Sequence, residues 1–176
     1  MNEVQELIRR RRSCRRYKDD PIPEDILQRI CEAGTYAATG NNAQSPIIIA
    51  ITNKEVRDKL SKLNGEILGG GEYKSDPFFG APVVLVVLAK KSSRHVRYDG
   101  ANVMTTLMLA AASEGIASCW IHRARECFET EEWKEFLKSL GIEEEYEGVG
   151  NCILGYAKTK APKAKPRKEN YIYYVK

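Results

Sequence analysis

Pro46-Ile47-Ile48-Ile49-Ala50-Ile51-Thr52 is a continuous apolar run, mostly β-branched, in the first third of the chain. Runs of this kind are typical of strands buried on both faces. A second run of the same character, Val83 to Ala89, follows Pro82. Two more strands are predicted at Ile116–Ile121 and Val149–Tyr156. We therefore predict a sheet with helices on both of its faces.

Helical segments separate these strands. Apolar side chains recur at helical spacing, and Pro, Asn or acidic residues mark helix starts. The predicted helices are Glu3–Arg11, Glu24–Ala37, Lys54–Leu63, Asp99–Glu114 and Glu131–Leu140. Asp99–Glu114 is apolar almost all round, which indicates a central helix or a subunit interface. Helices and strands mixed in this order predict an α+β fold, a three-layer α/β sandwich.

The composition is that of a single globular domain spanning residues 1–176. Charged residues make up 30% of the chain, hydrophobic ones 43%, and the formal net charge is +4. No apolar run is long enough for a membrane helix, and no signal peptide is recognisable, so we expect a cytoplasmic protein without membrane contact. The five cysteines form no C-x-x-C pair, so we predict no metal site and no disulfide framework.

Three segments are predicted to be irregular. Gly65–Gly80 carries five glycines and two aromatic residues, Phe78 and Phe79, which look exposed; this pattern is typical of a mobile segment near a site. Arg123–Thr130 is predicted to be a polar loop. Residues 158–176 are predicted to form an extended basic arm ending in Tyr171–Val175, which has strand character and could pair with a partner subunit.

Arg9-Arg10-Arg11-Arg12-Ser13-Cys14-Arg15-Arg16-Tyr17 places six arginines within eight positions. The guanidinium fork matches phosphate oxygens, and Ser13 adds a hydroxyl donor. Three interpretations are open from this run alone: a solvated basic face, a nucleic-acid arm, or a site for a phosphorylated ligand. The position between a helix and a Pro turn, with few aromatic residues for base stacking, weighs against nucleic acid.

Three stretches and a weaker fourth together resemble the nitroreductase family of flavoproteins, whose signatures occur in the same order. They are R-x-S-x-R-x-Y at Arg11–Tyr17, the Ala38–Ser45 loop before a strand, and the Gly115–Trp120 segment after the central helix. The fourth is the basic pair Lys165 and Arg167. The resemblance covers nearly the whole chain. It implies a mostly antiparallel sheet, a homodimer with FMN at its interface, and a C-terminal arm exchanged between subunits.

The resemblance also implies roles for individual residues. Arg11, Arg12 and Ser13 would hold the FMN phosphate and ribityl side, closed by Lys165 and Arg167. Arg15 would lie near N1 and O2 of the isoalloxazine, where a cation stabilises the reduced flavin. The loop would contact the ring edge from the partner chain. The loop residues concerned are Ala38, Thr39, Gly40, Asn42 and Gln44.

Some family features are altered or reduced here. The loop begins with Ala38-Thr39 rather than Pro-Ser, and the Pro that usually follows the loop glutamine is displaced to Pro46. Lys74 is the nearest candidate for a lysine that contacts the flavin in longer members. Phe78 and Phe79 are candidate lid residues next to the substrate, although packing against the sheet is the commoner role for such a pair.

The resemblance implies ping-pong hydride transfer from NADH or NADPH, through FMN, to a small electron-poor acceptor such as a nitroaromatic, quinone or enone. Two alternatives stay open. The first keeps the flavin in an oxidase or a flavin-fragmenting enzyme of the same fold. The second is a non-catalytic basic module that binds nucleic acid, whereas the flavoenzyme interpretation predicts no nucleic-acid partner.

Overall fold

The computed structural model describes residues 1–176. The helices are α1 Glu3–Arg10, α2 Glu24–Thr35, α3 Lys54–Leu68, α4 Val96–Ser113, α5 Ala124–Phe128 and α6 Glu131–Ser139. The strands are β1 Pro46–Ile51, β2 Val83–Lys90, β3 Ala117–Ile121 and β4 Tyr146–Gly155. They form one sheet in the order β1-β2-β4-β3, and all three pairings are antiparallel. The predicted α+β class with an antiparallel sheet is therefore confirmed.

The sheet separates two hydrophobic cores, and β2 contributes to both. Successive side chains of a strand point to opposite faces. Accordingly Val84 and Val86 belong to the core shared with α3, α5 and α6, whereas Val83 and Leu85 belong to the core shared with α2 and α4. Burial on both faces explains why β2 has no polar position before Lys90. The two cores make the predicted three layers.

Side-chain caps set the starts of two helices. The Asn2 side chain accepts from the Gln5 amide and the Gln5 side chain accepts from the Asn2 amide, a reciprocal capping box for α1. The Asn53 side chain accepts from the Val56 amide at 3.0 Å and begins α3 immediately after β1. The turn between β1 and α3 is therefore short, as the sequence predicts.

The prediction that Pro46–Thr52 is a fully buried strand is wrong. β1 lies at the edge of the sheet, pairs only with β2, and most of its residues are half-buried; Ala50 is exposed. An edge strand lacks a neighbour on one side, and the helices cover it less completely than they cover β2. The β-branched composition is the same in both positions, so composition alone does not reveal the edge.

Two segments predicted to be irregular contain helix. α3 continues through Gly65 to Leu68, because Gly65 is buried and a Cβ there would come within 2.6 Å of the Tyr73 ring. The predicted loop Arg123–Thr130 contains α5, whose Ala124, Cys127 and Phe128 are buried. In both places close packing against a neighbouring element stabilises a helix that the local sequence pattern does not predict.

The aromatic pair in the predicted mobile segment is divided between core and surface. Phe78 is completely buried and Phe79 is 40% exposed. The prediction that Phe78 looks exposed and lines a substrate lid is therefore wrong, because the ring packs in the core beside the Arg57 guanidinium, 5.4 Å from it. Phe79 has a positive φ of 54° and points to the surface.

The C-terminal arm is extended and exposed from residue 157 to residue 176. It forms no strand in the single chain, so the exchange of Tyr171–Val175 with a partner stays a prediction. In this structure no helix combines the length and the apolarity needed to cross a membrane.

Candidate active site

The arginine run lies beside β3, at the outer edge of the sheet. Ser13 pairs with Ser118 in a parallel bridge, and the Cys14 amide donates to the Ser118 carbonyl oxygen at 2.9 Å. A second, antiparallel bridge joins Tyr17 to Ala157 just beyond β4. Backbone pairing at Ser13 and Tyr17 thus holds the second half of the run in place.

None of the six arginines from Arg9 to Arg16 forms an ion pair within the chain, although fifteen ion pairs occur elsewhere. Arg11 is half-buried, and its Nη1 is enclosed without a hydrogen-bond partner. A buried donor on a cation costs free energy unless an acceptor meets it. An anionic group at Arg11 would satisfy it, so the residues fit a phosphate-bearing ligand.

Arg15 lines a cavity with a volume of about 930 Å³. This is near the upper end of the range for small-molecule sites, about 300–1,000 Å³. Its walls come from the end of β3, the first turns of α4, the start of β4 and the segment before β2. Arg15 makes no hydrogen bond or ion pair, so its positive charge is unpaired at one side of this cavity.

The end of β3 forms the cavity floor, a role that the sequence prediction missed. Trp120, Ile121, His122 and Arg123 line the cavity, and Arg123 has a positive φ of 74°. An arginine with positive φ is uncommon and needs support from its surroundings. The chain therefore makes a sharp, fixed turn at the cavity.

Two buried asparagines support that turn. Asn64 of α3 donates to the His122 carbonyl oxygen at 2.8 Å, and Asn151 of β4 donates to the same oxygen at 3.2 Å. They are 1% and 0% exposed. Two donors on one carbonyl oxygen fix its direction. A polar residue inside an apolar helix stripe and another inside an apolar strand were the available sequence signals.

The loop before β1 is tethered to α4. The Gly40 amide donates to Asp99 Oδ1 at 2.9 Å, and Asn102 Nδ2 donates to the Ala38 carbonyl oxygen at 3.0 Å. A Cβ on Gly40 would lie 2.4 Å from the His95 ring, so the glycine allows close approach. These contacts fix the loop on the first turns of the central helix.

The loop also carries unusual backbone conformations. Gly40–Asn42 form a single 3₁₀ turn, and Asn41, Asn42 and Gln44 all have positive φ. The Gln44 amide donates to Thr39 Oγ1 at 3.1 Å, and Gln44 Nε2 donates to Asn42 Oδ1 at 3.2 Å. Positive φ at Gln44 is strained, and such strain concentrates at functional sites. The hydrogen bond between the exposed side chains of Asn42 and Gln44 holds both of them in place.

The structure places the loop and the arginine run apart. The cavity that Arg15 lines contains none of the residues 38–44, and Gly40 and Asn41 line a different cavity of about 250 Å³. Arg11, Arg12 and Ser13 lie beside β3 but do not line the Arg15 cavity either. The single chain therefore presents two separate halves of the predicted cofactor site.

The remaining predicted residues lie outside both cavities, apart from one. Lys165 and Arg167 lie on the exposed arm, where Arg167 donates back to the Lys165 carbonyl oxygen at 2.6 Å. Lys74 is exposed and pairs with Glu72 at 3.6 Å. Phe79, the exception, lines the Arg15 cavity.

Asp76 is a half-buried carboxylate in the turn that carries Phe79. Arg57 Nη2 lies 2.6 Å from its Oδ2, the Ser61 hydroxyl donates to Oδ1, and the amides of Phe78 and Gly80 donate at 2.8 and 2.7 Å. Burial raises the pKa of this carboxyl, but the hydrogen bonds from Ser61, Arg57 and the two amides outweigh it, so the pKa lies below its usual value. Asp76 is a fixed anion that shapes the turn carrying Phe79.

The two thiols with the most strongly shifted pKa do not line the cavity and are not nucleophiles near neutral pH. Burial raises the pKa of Cys127 to about 12 and also raises the pKa of Cys152. No group of three or more His, Cys, Asp or Glu side chains is arranged to hold a metal ion. The arrangement suits a bound group that brings its own chemistry.

An antiparallel sheet between helical layers, with an arginine run that forms no ion pair bonded to its edge, defines an α+β protein with a cluster of free cations beside the sheet. The family model described as "Nitroreductase family" matches residues 8–156. The chain belongs to the nitroreductase family.

Solved structures agree along the whole chain. A nitroreductase with bound FMN from Bacteroides fragilis superposes with a TM-score of 0.90 at 30% identity, covering 100% of both chains. A second, also with bound FMN, from Desulfitobacterium hafniense gives 0.88 at 31% identity, again covering 100% of both.

Sequence relatives match a shorter segment. An NADPH-dependent oxidoreductase from Staphylococcus aureus is 29% identical over 65 residues, which are 37% of this chain and 26% of the relative. The chain therefore spans about a quarter of the length of that relative.

Proposed function

We propose that this protein is an FMN-dependent oxidoreductase that uses NAD(P)H to reduce a small electron-poor acceptor. The arginine run carries the proposal: its six arginines form no ion pair, Arg11 has an enclosed donor without a partner, and Arg15 lines the cavity of about 930 Å³. The FMN bound by the structural relatives from B. fragilis and D. hafniense supports it.

Each part of the arginine run has a proposed task. Arg11, Arg12 and Ser13 hold the phosphate, because charge-assisted hydrogen bonds from guanidinium and hydroxyl groups match its oxygens. Arg15 projects into the cavity and places positive charge where negative charge grows on reduction. When bound, FMN supplies the hydride chemistry between NAD(P)H and the acceptor.

A homodimer completes the proposed site. The loop residues Ala38, Thr39, Gly40, Asn42 and Gln44 would reach the ring edge of a cofactor held by the partner, with Lys165 and Arg167 closing on the phosphate. Exposed apolar side chains support association: Val4 and Ile8 of α1 are 64% and 53% exposed, and Tyr171, Ile172, Tyr173 and Tyr174 of the arm are 65–81% exposed. Apolar surface of this kind marks interfaces.

The test starts with the purified protein. We expect it to be a dimer in solution and yellow, with the two visible absorption bands of oxidised flavin, and NADPH should bleach those bands in the absence of oxygen. Rapid anaerobic reduction, followed by reoxidation on adding a nitroaromatic or quinone, distinguishes a reductase from an oxidase. A colourless protein that takes up no added FMN contradicts the proposal.

A further inference from the structure

Arg97 and Arg125 converge on one carboxylate in the Arg15 cavity. Arg97 Nε lies 3.0 Å from Glu147 Oε1, and Arg125 Nε lies 3.9 Å from Glu147 Oε2. The Glu147 side chain is only 18% exposed, so it is held firmly where β4 begins. Residues from α4, α5 and β4 are thereby brought together, and all three line the cavity.

Both guanidiniums use only one of their donor edges. Arg97 donates through Nε to Glu147, and Arg125 donates through Nε to Glu129 at 3.0 Å. The Nη1 and Nη2 atoms of both residues have no hydrogen-bond partner or ion pair in the structure. A guanidinium carries five donors in a rigid plane, and its terminal pair matches the two oxygens of a carboxylate. Glu147 thus holds Arg97, and Glu129 holds Arg125, each through a hydrogen bond to Nε that leaves the terminal donors free.

The surroundings supply an apolar surface for an aromatic ring. Tyr98, one residue after Arg97, is 75% exposed, and Trp120 and Phe79 line the same space. Resting on the reductase function proposed above, we propose that Arg97 and Arg125 bind the carboxylate of an aromatic acceptor. The acceptor ring would then lie against Tyr98 and Trp120, with its electron-poor group directed toward the Arg15 side.

The charges around the pair favour a singly charged, planar anion. Glu147 and Glu129 offset the charges of the two arginines, which leaves Arg15 as the cation of the cavity without an ion pair, so one negative charge matches it and a doubly charged phosphate exceeds it. A cationic group would lie beside the guanidinium groups of Arg97 and Arg125. A carboxylate adds one negative charge and accepts in the plane of the free Nη donors.

The experiment compares two acceptors that differ in charge but little in shape, 4-nitrobenzoate and 4-nitrobenzamide, with the FMN-loaded protein and NADPH. We expect the wild type to have the lower KM for the benzoate. Arg97→Gln and Arg125→Gln should each raise that KM roughly fivefold at low ionic strength while leaving the benzamide KM within about twofold. Arg97→Lys, which keeps the charge, should recover part of the loss. Lys91→Gln removes an exposed cation that lines neither cavity and forms no ion pair, and it should change neither KM.

A binding measurement covers the case in which neither compound is reduced. Benzoate, titrated into the FMN-loaded protein by calorimetry, should bind more tightly than benzamide, and both Gln variants should abolish the difference. Equal binding of the two, or an equal loss for both compounds in the variants, overturns the carboxylate site. Flavin content and reduction by NADPH are measured first on the same samples, so failure of the reductase function is recognised separately.

Discussion

The backbones of Ser13 and Ser118 pair in a parallel bridge, which fastens the arginine run to the edge of the sheet. The residues that follow Ser118, from Trp120 to Arg123, line the cavity. β3 therefore positions both the arginines without ion pairs and the cavity floor. Arginines whose backbone is held in place bind an anion effectively, because little conformational freedom is lost on binding. The position of Ser13 beside Ser118 thus relates the predicted phosphate site to the predicted ring site.

Arg11→Ala is expected to weaken FMN retention. The lost interaction is charge-assisted and worth about 1.5–3 kcal/mol, so the Kd for FMN should rise roughly tenfold or more. Because bound FMN stabilises only the folded state, the Tm of the FMN-loaded protein should fall as well. Fluorescence of released flavin during dilution measures the first effect, and a thermal scan measures the second.

Arg9→Ala is the matched control for this experiment. Arg9 lies in the last turn of α1, is exposed, and precedes the segment paired with β3. We expect unchanged FMN affinity and Tm. If the two variants behave alike, the division of the run into ligand-binding and structural arginines is wrong.

Arg15→Gln is expected to lower the midpoint potential of the bound flavin without loss of the cofactor. Removing a cation destabilises the reduced form, and a two-electron potential falls by about 30 mV for each 1.4 kcal/mol. We expect a decrease of roughly 20–60 mV, measured by dye-linked anaerobic reduction. Arg16→Gln removes an exposed neighbour that does not line the cavity and should leave the potential unchanged. Equal shifts in both variants would mean that only overall charge matters.

The sequence predicted the three layers of the fold, but it did not reveal which strands lie at the edges of the sheet. β2 was recognisable because its apolar run has no alternation, which is typical of burial on both faces. β1 has the same composition but lies at the edge, and strand order depends on contacts that no local pattern records. Phe78 and Phe79 are adjacent residues of one type, yet the turn around Asp76 sends one ring inward and the other outward.

The candidate site was only partly predictable for the same reason. Arg15 belongs to a run whose charge is conspicuous in the sequence. Arg97, Arg125 and Glu147 come from three elements, and each is an ordinary surface residue when its own segment is considered alone. The antiparallel sheet and the α4 packing bring them together, so their shared cavity appears only in three dimensions.

Asn64→Leu is expected to destabilise the protein by about 1–3 kcal/mol, because it removes a buried hydrogen bond to the His122 carbonyl oxygen and leaves that acceptor with one donor. Urea denaturation measures the change in the free energy of unfolding. The β3 turn should also loosen, which should raise the KM for the acceptor. Gln28→Ala, at an exposed position on α2, should change stability by less than about 0.5 kcal/mol. An unchanged unfolding free energy in Asn64→Leu would contradict the supporting role.

Asp76→Asn is expected to cost stability near neutral pH but progressively less in acid. The pKa of Asp76 in the folded protein is below its usual value, so its stabilisation is fully present above the unfolded pKa of about 3.9 and is lost as the pH falls through the lower folded pKa. At pH 7 the variant leaves the Arg57 guanidinium, 9% exposed, without its closest carboxylate, at a cost of roughly 2 kcal/mol, below the range for fully buried pairs because Asp76 is partly exposed. Urea unfolding of both proteins at pH 7, 4.5 and 3.5 gives the difference directly, and other acidic groups cancel in the comparison. Glu72→Gln, which removes an exposed carboxylate in the same segment, should give a small difference at every pH. A difference for Asp76→Asn that stays constant from pH 7 to 3.5 would show that the loss comes from packing rather than from the ionised carboxylate.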